Sequence, residues 1–368
     1  MRNELTNKIW IYTTIIMSVG LVTLFSASSQ NVRVGQYVFY DQLFCVLIGL
    51  GLMYILERVD YRRFYDIAYI VYFLNVIMLA AVLMAGRHAL GATRWLEIGG
   101  LSFQPSEFTK LSLILMLGRY FADCRPSLSF NFYNRSQEVF QRLLIPFFLT
   151  SVLMLLIFKQ PDLGTAILLF GIFLAMLFVS GLGYKYFLGF VFICTAAVPF
   201  LWQHLKQYQK DRLLVFLNPN IDPLGAGYTI IQSKIAIGSG QLFGKGWLAG
   251  TQSQLNFLPE RHTDFIFSVV GEEWGLVGSL LLVYCYFVLI YTSLKIAEQV
   301  KDKFGTYVTI GIASILTLQV IINIGMVMGL FPVVGITLPF ISYGRSSLLI
   351  FIIMMGFLLN LSKRRTIF

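Results

Sequence analysis

Residues 257–290 read FLPERHTDFIFSVVGEEWGLVGSLLLVYCYFVLI. The first eight residues resemble a loop, and the residues that follow are mostly apolar. A membrane helix needs about 20 predominantly apolar residues to cross about 30 Å of hydrocarbon. The run therefore predicts a helix over residues 265–294, which is long enough to tilt or to project beyond the lipid. Four ionisable side chains stand at its entrance: Glu260, Arg261, His262 and Asp264.

The composition of the whole chain is typical of a membrane protein. The chain has 368 residues, of which 57% are hydrophobic and 12% charged, and its mean hydropathy is +0.74. A soluble domain usually carries about 25% charged residues. We therefore predict an all-α, polytopic fold with one integral membrane domain over residues 1–368. Ten apolar runs are the predicted spans: about 9–27, 39–56, 65–85, 106–121, 143–158, 163–180, 184–202, 265–294, 306–330 and 346–362.

The distribution of positive charge predicts the orientation. More than half of the 28 Lys and Arg residues fall on one side of the ten-span arrangement, and cytoplasmic loops are the ones that collect these residues. Both termini are therefore predicted to be cytoplasmic. The first apolar run is predicted to be a retained helix, because it is longer than the apolar core of a signal peptide. The net charge of +10 follows from this topology, so no nucleic-acid partner is predicted.

With this orientation, residues 203–264 form one large outer loop between the seventh and eighth spans. Residues 226–238 within it are predicted to form an amphipathic helix on the membrane surface. The side chains expected to face lipid are Tyr228, Ile230, Ile231, Ile235 and Ile237. Eight carboxylates fall on the outer side: Asp41, Glu97, Glu107, Asp162, Asp211, Asp222, Glu260 and Asp264. Glu272 and Glu273 fall in the outer turns of the eighth span, and no acid lies centrally in any other span, whereas ion-coupled transporters usually place ionisable groups within the membrane. The polar chemistry is therefore predicted at the outer surface.

Asp264 has two interpretations. In the structural one, Thr263 caps the eighth helix and Asp264 lies in its first turn, near the positive end of the helix dipole. In the functional one, Asp264 is a general base whose pKa is tuned by partial burial. His262 is an alternative for the same role, and Glu260 and Arg261 are alternatively a solvated ion pair of little energetic value.

A second polar group lies in SFQPSEFTK, residues 102–110. Glu107 and Lys110 share one helix face because they are three residues apart. They are either an interfacial ion pair with a snorkelling lysine or a cation held in place to meet a phosphate. Arg94 offers another cation upstream, beside Trp95, although tryptophan at an interface is commonly only an anchor.

Two short turns supply the remaining candidate site residues. Asp162 in KQPDLGTA is predicted to be the N-cap of the sixth helix. Ser342 in LPFISYGRSS either lines a polar cavity or satisfies the hydrogen-bonding groups at the start of the last helix.

The four cysteines and three histidines form no CxxC or HxxxH pair, so no metal site is predicted. A P-loop, a GxGxxG after a strand and a DxD are absent, which favours a lipid donor over a nucleotide donor.

Taken together, these segments resemble the SEDS family (shape, elongation, division and sporulation). The motifs occur in the family's order: GATRW, QPSEFTK, QPDLGTA, FLNPNIDPLGAGY, GSGQLFGKG, FLPERHTDFIFSVVGEEWGLVG and LPFISYG. The resemblance implies a peptidoglycan glycosyltransferase that polymerises lipid II into β-1,4-linked glycan strands at the outer face of the bacterial inner (plasma) membrane. It also implies partnership with a class B penicillin-binding protein transpeptidase and the elongation machinery. The short N-terminus and Arg261 favour the elongation type over the division type.

The resemblance also implies roles for individual residues. Asp264 matches the catalytic carboxylate, which would accept the proton of the attacking sugar hydroxyl in an inverting single displacement that releases undecaprenyl diphosphate. Glu107 and Lys110 match paired residues at the fourth helix. The side chains expected to contact the substrate are Glu107, Lys110, Arg94, Arg212, Glu260, His262 and Ser342.

The charge of the leaving diphosphate needs a counter-charge. Arg94, Lys110, Arg212 or a divalent cation (Mg or Mn) is expected to supply it. Arg345 is a departure, because the family usually has glycine there. Arg345 either steers the diphosphate with its positive charge or is a sequence variation of this lineage without such a role.

Two other functions remain as alternatives. One is a flippase that moves lipid II, although the scarcity of ionisable groups within the spans counts against ion coupling. The other is a non-catalytic scaffold for a penicillin-binding protein.

Overall fold

The computed structural model describes residues 2–29, 32–89, 92–98, 101–124, 139–223 and 225–364, and most of these are helical. The helices are α1 Arg2–Ser28, α2 Val32–Leu56, α3 Arg62–Ala85, α4 Pro105–Asp123, α5 Ile145–Lys159, α6 Leu163–Val179, α7 Tyr184–Ala196, α8 Val198–His204, α9 Gln207–Leu217, α10 Ala226–Ser239, α11 Thr251–Gln254, α12 Ile266–Gln299, α13 Lys303–Val327 and α14 Arg345–Arg364. A π-helical turn, Phe140–Leu144, leads into α5, and a 3-10 turn, Pro219–Ile221, follows α9.

The helical pattern is that of a multi-pass membrane protein. Among the described residues, seven helices are long and apolar enough to cross a membrane: α1, α2, α3, α5 with its π-turn, α12, α13 and α14. The runs Leu163–Val179 and Tyr184–Phe200 are apolar but shorter. The charged residues Glu107, Lys110, Arg119 and Asp123 make α4 less apolar, and it is not among the seven. The multi-pass helical class is confirmed, and the number of ten spans stays a prediction.

Two details of the predicted spans are corrected. The seventh, 184–202, is divided into α7 and α8, and Pro199 in the first turn of α8 lacks the backbone donor that would continue α7. The fold is also not purely α, because a three-stranded antiparallel sheet lies between α3 and α4. Its strands are β1 Arg87–Ala89, β2 Ala92–Ile98 and β3 Leu101–Phe103. Pairing between the strands satisfies backbone N–H and C=O groups in this segment, which is not helical.

Helices α13 and α14 are the most buried of the seven long apolar helices and lie at the centre of the bundle. In its most apolar 18-residue window, α14 has 83% of its residues buried and α13 has 61%, against 28% in α3 and α12. The outer helices therefore leave much of their apolar surface for lipid. Because α13 and α14 lie in the middle, polar side chains on them are surrounded by protein and can hold other segments in fixed positions.

The long helix α12 is broken at Gly275, where the backbone has φ +66° and ψ −161°. Residues 241–246 dock into this break. Lys245 and Gly246 donate their N–H groups to the carbonyls of Glu272 and Glu273, at 3.0 Å each. In return, the Leu276 and Val277 N–H groups donate to the carbonyls of Gln241 and Leu242, at 2.9 and 3.1 Å. The loop thus satisfies backbone groups that the break would otherwise leave without partners.

The helix predicted at residues 226–238 is present as α10, and one of its faces packs on α12 and α13. A Cβ atom added to Gly240 would be only 1.9 Å from the Gly271 carbonyl oxygen, so the end of α10 packs directly on the backbone of α12. The Ser233 hydroxyl also donates to the Val327 carbonyl of α13, at 2.6 Å. Ile230 is consequently 2% exposed, whereas Ile235 remains 45% exposed. Packing on α12 and α13 buries part of the surface that the sequence pattern assigned to lipid.

We predict that Gly275→Ala destabilises the protein by about 2 kcal/mol or more. The substitution introduces a side chain at positive φ, and its Cβ would lie 2.4 Å from the Gly244 nitrogen. The measurement is thermal unfolding in detergent. Gly51→Ala is the matched control, because its Cβ would meet nothing within 4 Å. Equal melting temperatures for the two variants would contradict the proposed role of the break.

Candidate active site

The main chain that leads to Asp264 is held by three successive carbonyl groups. The His262 carbonyl accepts from the Tyr343 N–H at 2.8 Å, and the Thr263 carbonyl accepts from the Ser342 hydroxyl at 2.6 Å. The Asp264 carbonyl accepts from the side-chain amide of Asn323 at 3.0 Å. These bonds come from the segment before α14 and from α13, so the two central helices determine where Asp264 lies.

The predicted cap of the eighth helix is wrong. Helix α12 begins at Ile266, and its N-cap, Phe265, makes no side-chain cap bond. The Thr263 hydroxyl instead donates to the carboxylate of Glu260, at 3.1 Å. The helix therefore starts after Asp264, and the structural explanation for an aspartate in its first turn does not apply.

The surroundings of the Asp264 carboxylate differ from those of the helix-capping carboxylate of Asp162. Within the part of the chain that the structure describes, no donor hydrogen-bonds it, whereas the Asp162 carboxylate caps α6 as predicted, through the Thr165 N–H at 3.2 Å. The residue keeps some exposure, and the backbone of Gly335 lies beside its Oδ2 atom. Burial raises the pKa of Asp264 from 3.8 to about 6, with a smaller contribution from Glu260. Such a carboxylate can accept a proton near neutral pH.

Arg94 and Arg212 line one small cavity near Asp264. The other lining residues are Pro161, Leu163, Gln209, Leu213, Pro332, Val333 and Val334. Arg94 donates through Nε to the Gln160 carbonyl at 3.2 Å, and Arg212 donates through Nη1 to the Val333 carbonyl at 3.3 Å. Both arginines lower the pKa of Asp264, opposing its burial, so they are close enough to act on its charge. The structure brings these three sequence-predicted residues together.

Glu107 and Lys110 lie apart from that cavity and beneath it. Lys110 Nζ is 2.7 Å from Glu107 Oε2 and 3.3 Å from Gln319 Oε1, and the lysine is 1% exposed. It therefore does not snorkel to the membrane surface. Gln319 in turn donates to the Thr337 carbonyl at 2.9 Å. The pair thus supports the segment that carries Gly335, and it does not open onto the arginine cavity.

The remaining predicted residues surround the Asp264 loop. Ser342 is 4% exposed; besides its bond to Thr263, its hydroxyl accepts from the Leu338 N–H at 2.7 Å. The His262 ring lies 6.1 Å from the Tyr343 ring, and burial lowers the pKa of His262. Arg261 does not form the alternative pair with Glu260; its Nε donates to the Ala27 carbonyl at 2.6 Å. Of these two candidates for the base, Asp264 is the one on whose charge Arg94 and Arg212 act, whereas His262 packs against Tyr343.

Sequence reasoning missed the amides that hold this site. Gln319 and Asn323 are four residues apart on α13, and Asn323 also donates to the Ile336 carbonyl, at 2.6 Å. An amide pair at this spacing inside an apolar span was the available signal, because such a pair shares one helix face.

Among the described residues, no three His, Cys, Asp or Glu side chains are grouped so that they could hold an ion. The cationic side chains that line the cavity are those of Arg94 and Arg212.

Comparisons with known proteins agree with this architecture. The FtsW/RodA/SpoVE family model, described as "Cell cycle protein", matches residues 6–367. "Peptidoglycan glycosyltransferase MrdB" of Escherichia coli K12 is 42% identical over 358 residues, covering 95% of this chain and 91% of that protein. "Probable peptidoglycan glycosyltransferase FtsW" of Trichlorobacter lovleyi is 37% identical, covering 94% and 90%.

Two solved structures are also similar. A chain from "Structural coordination of polymerization and crosslinking by a peptidoglycan synthase complex" has a TM-score of 0.82 and 32% identity, with 97% of each chain covered. The rod shape determining protein RodA of Thermus thermophilus has a TM-score of 0.71 and 28% identity, covering 97% of this chain and 96% of that one. The match over nearly the whole length places the chain in the FtsW/RodA/SpoVE family.

Proposed function

We propose that this protein is a peptidoglycan glycosyltransferase that polymerises lipid II, with Asp264 as the general base. The single observation that carries the proposal is the Asp264 carboxylate: it has a raised pKa, no hydrogen-bond donor among the described residues, and two arginines nearby. The names of the relatives, "Peptidoglycan glycosyltransferase MrdB" and "Probable peptidoglycan glycosyltransferase FtsW", supply the reaction class that fits this site.

The proposed step is a single displacement at an anomeric carbon. The 4-hydroxyl oxygen of the acceptor sugar forms a bond to the donor's anomeric carbon while the bond from that carbon to the diphosphate oxygen breaks. Asp264 takes the hydroxyl proton, and the diphosphate leaves with the bonding electron pair. An α-linked donor then gives a β-linked product, as in inverting enzymes that use a carboxylate base. The diphosphate is a good leaving group, so the mechanism needs no general acid.

Arg94 and Arg212 are the proposed binding residues for the diphosphate. Both line the cavity beside Asp264, and two guanidinium groups match the charge that develops on the leaving phosphate. Lys110 is proposed to be a buried structural support that contacts Glu107 and Gln319, and not a cation that binds the phosphate. Glu260, His262 and Ser342 are proposed to shape the Asp264 loop, with Glu260 also helping to keep its pKa raised.

The proposed location is the outer face of the bacterial inner membrane. The predicted cytoplasmic side collects Arg58, Arg62 and Lys363, which lie at the helix ends away from Asp264. A class B penicillin-binding protein is the proposed partner, because a similar chain comes from a complex that coordinates polymerization and crosslinking. A role in elongation is proposed because another similar structure is a rod shape determining protein.

Purified Asp264→Asn protein is expected to make no glycan strands from lipid II. Asparagine keeps the shape of the side chain but cannot accept the hydroxyl proton. Strand formation is followed on gels, alone and with the partner protein, and melting temperature reports folding. Glu298→Gln, at the far end of α12, removes an exposed carboxylate and is the matched control. Strands formed by Asp264→Asn at the wild-type rate would exclude this base, and lipid II movement by wild type without any polymer would support a flippase.

Arg94→Gln and Arg212→Gln are each expected to lower kcat/KM for lipid II by about ten- to a hundredfold. Each change removes one of the two positive charges of the cavity. Arg94 also holds the carbonyls of Gln160 and Pro161, so its variant is expected to melt earlier than Arg212→Gln. Lys210→Gln, two residues from Arg212 and outside the cavity lining, is the control. If both arginine variants retained the wild-type kcat/KM, the diphosphate would bind elsewhere.

The raised pKa of Asp264 predicts a pH-dependent gain in stability for Asp264→Asn. Because the folded-state pKa lies above the unfolded value, stability is lost as pH rises through about 6, when the carboxylate becomes charged. Asparagine carries no charge at any pH. The variant is therefore expected to be more stable than wild type at pH 8, by on the order of 2 kcal/mol, and nearly equal at pH 4. A melting-temperature difference that does not change with pH would contradict the raised pKa.

A further inference from the structure

Helix α2 contacts the segment before α14 through two adjacent residues, Asp41 and Gln42. The Asp41 Oδ2 atom accepts from the Tyr343 hydroxyl at 2.9 Å and lies 3.3 Å from Arg345 Nε. The Gln42 side chain donates to the Ser342 carbonyl at 3.2 Å and accepts from the Gly344 N–H at 3.3 Å. Each of the four residues 342–345 is thus held by α2.

The same segment holds the loop that carries Asp264. Ser342 donates to the Thr263 carbonyl and Tyr343 donates to the His262 carbonyl. The contacts therefore form a continuous path from α2, through residues 342–345, to the two residues before Asp264. The path uses main-chain groups at its inner end, so a shift of residues 342–345 would move the Asp264 backbone with it.

We infer that Asp41 and Arg345 are positioning residues for the glycosyl transfer, acting through residues 342–343 on Asp264. This inference rests on the function proposed above. Asp41 is largely buried and joins the Tyr343 hydroxyl to the Arg345 guanidinium, which fixes both on one carboxylate. Arg345 has an acidic partner on α2, and its contribution is the geometry of the loop, not the binding of diphosphate.

The chain contains a natural control for this inference. Lys363 pairs with Glu57, so a second ion pair joins the C-terminal end of α14 to the residue that follows α2. The two pairs are separated by 16 residues along α2, which is about 24 Å of helix. Both link the same two elements, but only the Asp41–Arg345 pair is connected to Asp264. A purely structural effect would appear at both pairs.

The experiment compares Arg345→Gln, Arg345→Lys and Asp41→Asn with Lys363→Gln in lipid II polymerisation. For Arg345→Gln and Asp41→Asn, kcat is expected to fall about ten- to a hundredfold while KM stays within about twofold, because a displaced base affects the transition state and not substrate binding. Arg345→Lys is expected to recover most of kcat, since an ammonium group still pairs with Asp41. Lys363→Gln is expected to keep the wild-type kcat.

Five outcomes separate the possibilities. Loss of kcat with unchanged KM in the Asp41 and Arg345 variants, with rescue by lysine, supports the inference. A rise in KM at constant kcat would overturn it by making Arg345 a substrate contact. Wild-type kcat in Arg345→Gln, or an equal loss in Lys363→Gln, would also overturn it. Absence of polymer from the wild-type protein, alone and with its partner, would instead refute the proposed function.

Discussion

The placement of Asp264 depends on hydrogen bonds to three consecutive main-chain carbonyls. His262, Thr263 and Asp264 precede the first residue of α12, so their carbonyls need donor partners that the helix does not provide. Tyr343, Ser342 and Asn323 supply the donors. Because the bonds are made to the backbone, they fix the path of the chain while leaving the Asp264 carboxylate unoccupied. A carboxylate that capped a helix would already accept a hydrogen bond from the backbone, and it would be a weaker candidate for a base.

The other acids near the outer end of α12 show what a structural carboxylate looks like in this fold. Glu272 is fully buried and accepts from the Lys245 ammonium at 2.9 Å and from the Gln252 and Ser253 N–H groups at 2.9 and 3.2 Å. Glu273 accepts from the Ser26 hydroxyl of α1. These acids anchor the loop around the break at Gly275. Residues 241–254 of the outer loop are therefore attached to α12 and α1, and the acids that hold them, unlike Asp264, are engaged by hydrogen-bond donors.

Much of the class of fold was predictable, because apolar runs long enough to cross lipid leave a strong signal in the sequence. The break in α12 was not, since Gly275 lies in an apolar run that reads as a continuous helix, and only the docking of residues 241–246 makes the break favourable. The packing of α10 on α12 and α13 was not predictable for a related reason. The sequence pattern showed that α10 has an apolar face. Periodicity does not show whether such a face packs against lipid or against another helix.

For the site, the sequence predicted which residue types were unusual but not how they are grouped. Arg94 and Arg212 are 118 positions apart, and only the tertiary fold brings them to one cavity. Lys110 was predicted either to snorkel beside Glu107 or to meet a phosphate, yet it is buried and contacts both Glu107 and Gln319. Asp41 and Gln42 gave no signal, because single polar residues near a span's end are common at interfaces. Asp41 and Gln42 matter because residues 342–345, which they contact, also hydrogen-bond to His262 and Thr263 beside Asp264.

The charges around Asp264 suit the proposed reaction in a further way. Burial, Glu260 and Asp162 raise its pKa, while Arg212 and Arg94 lower it. A diphosphate bound by the arginines brings negative charge that opposes their effect on the carboxylate, so the pKa of Asp264 rises when the donor is in place. The base is then a stronger proton acceptor in the substrate complex than in the free protein, and it is weaker when no donor is bound. Under the proposed mechanism, the same two arginines therefore bind the leaving group and couple the strength of the base to the presence of substrate.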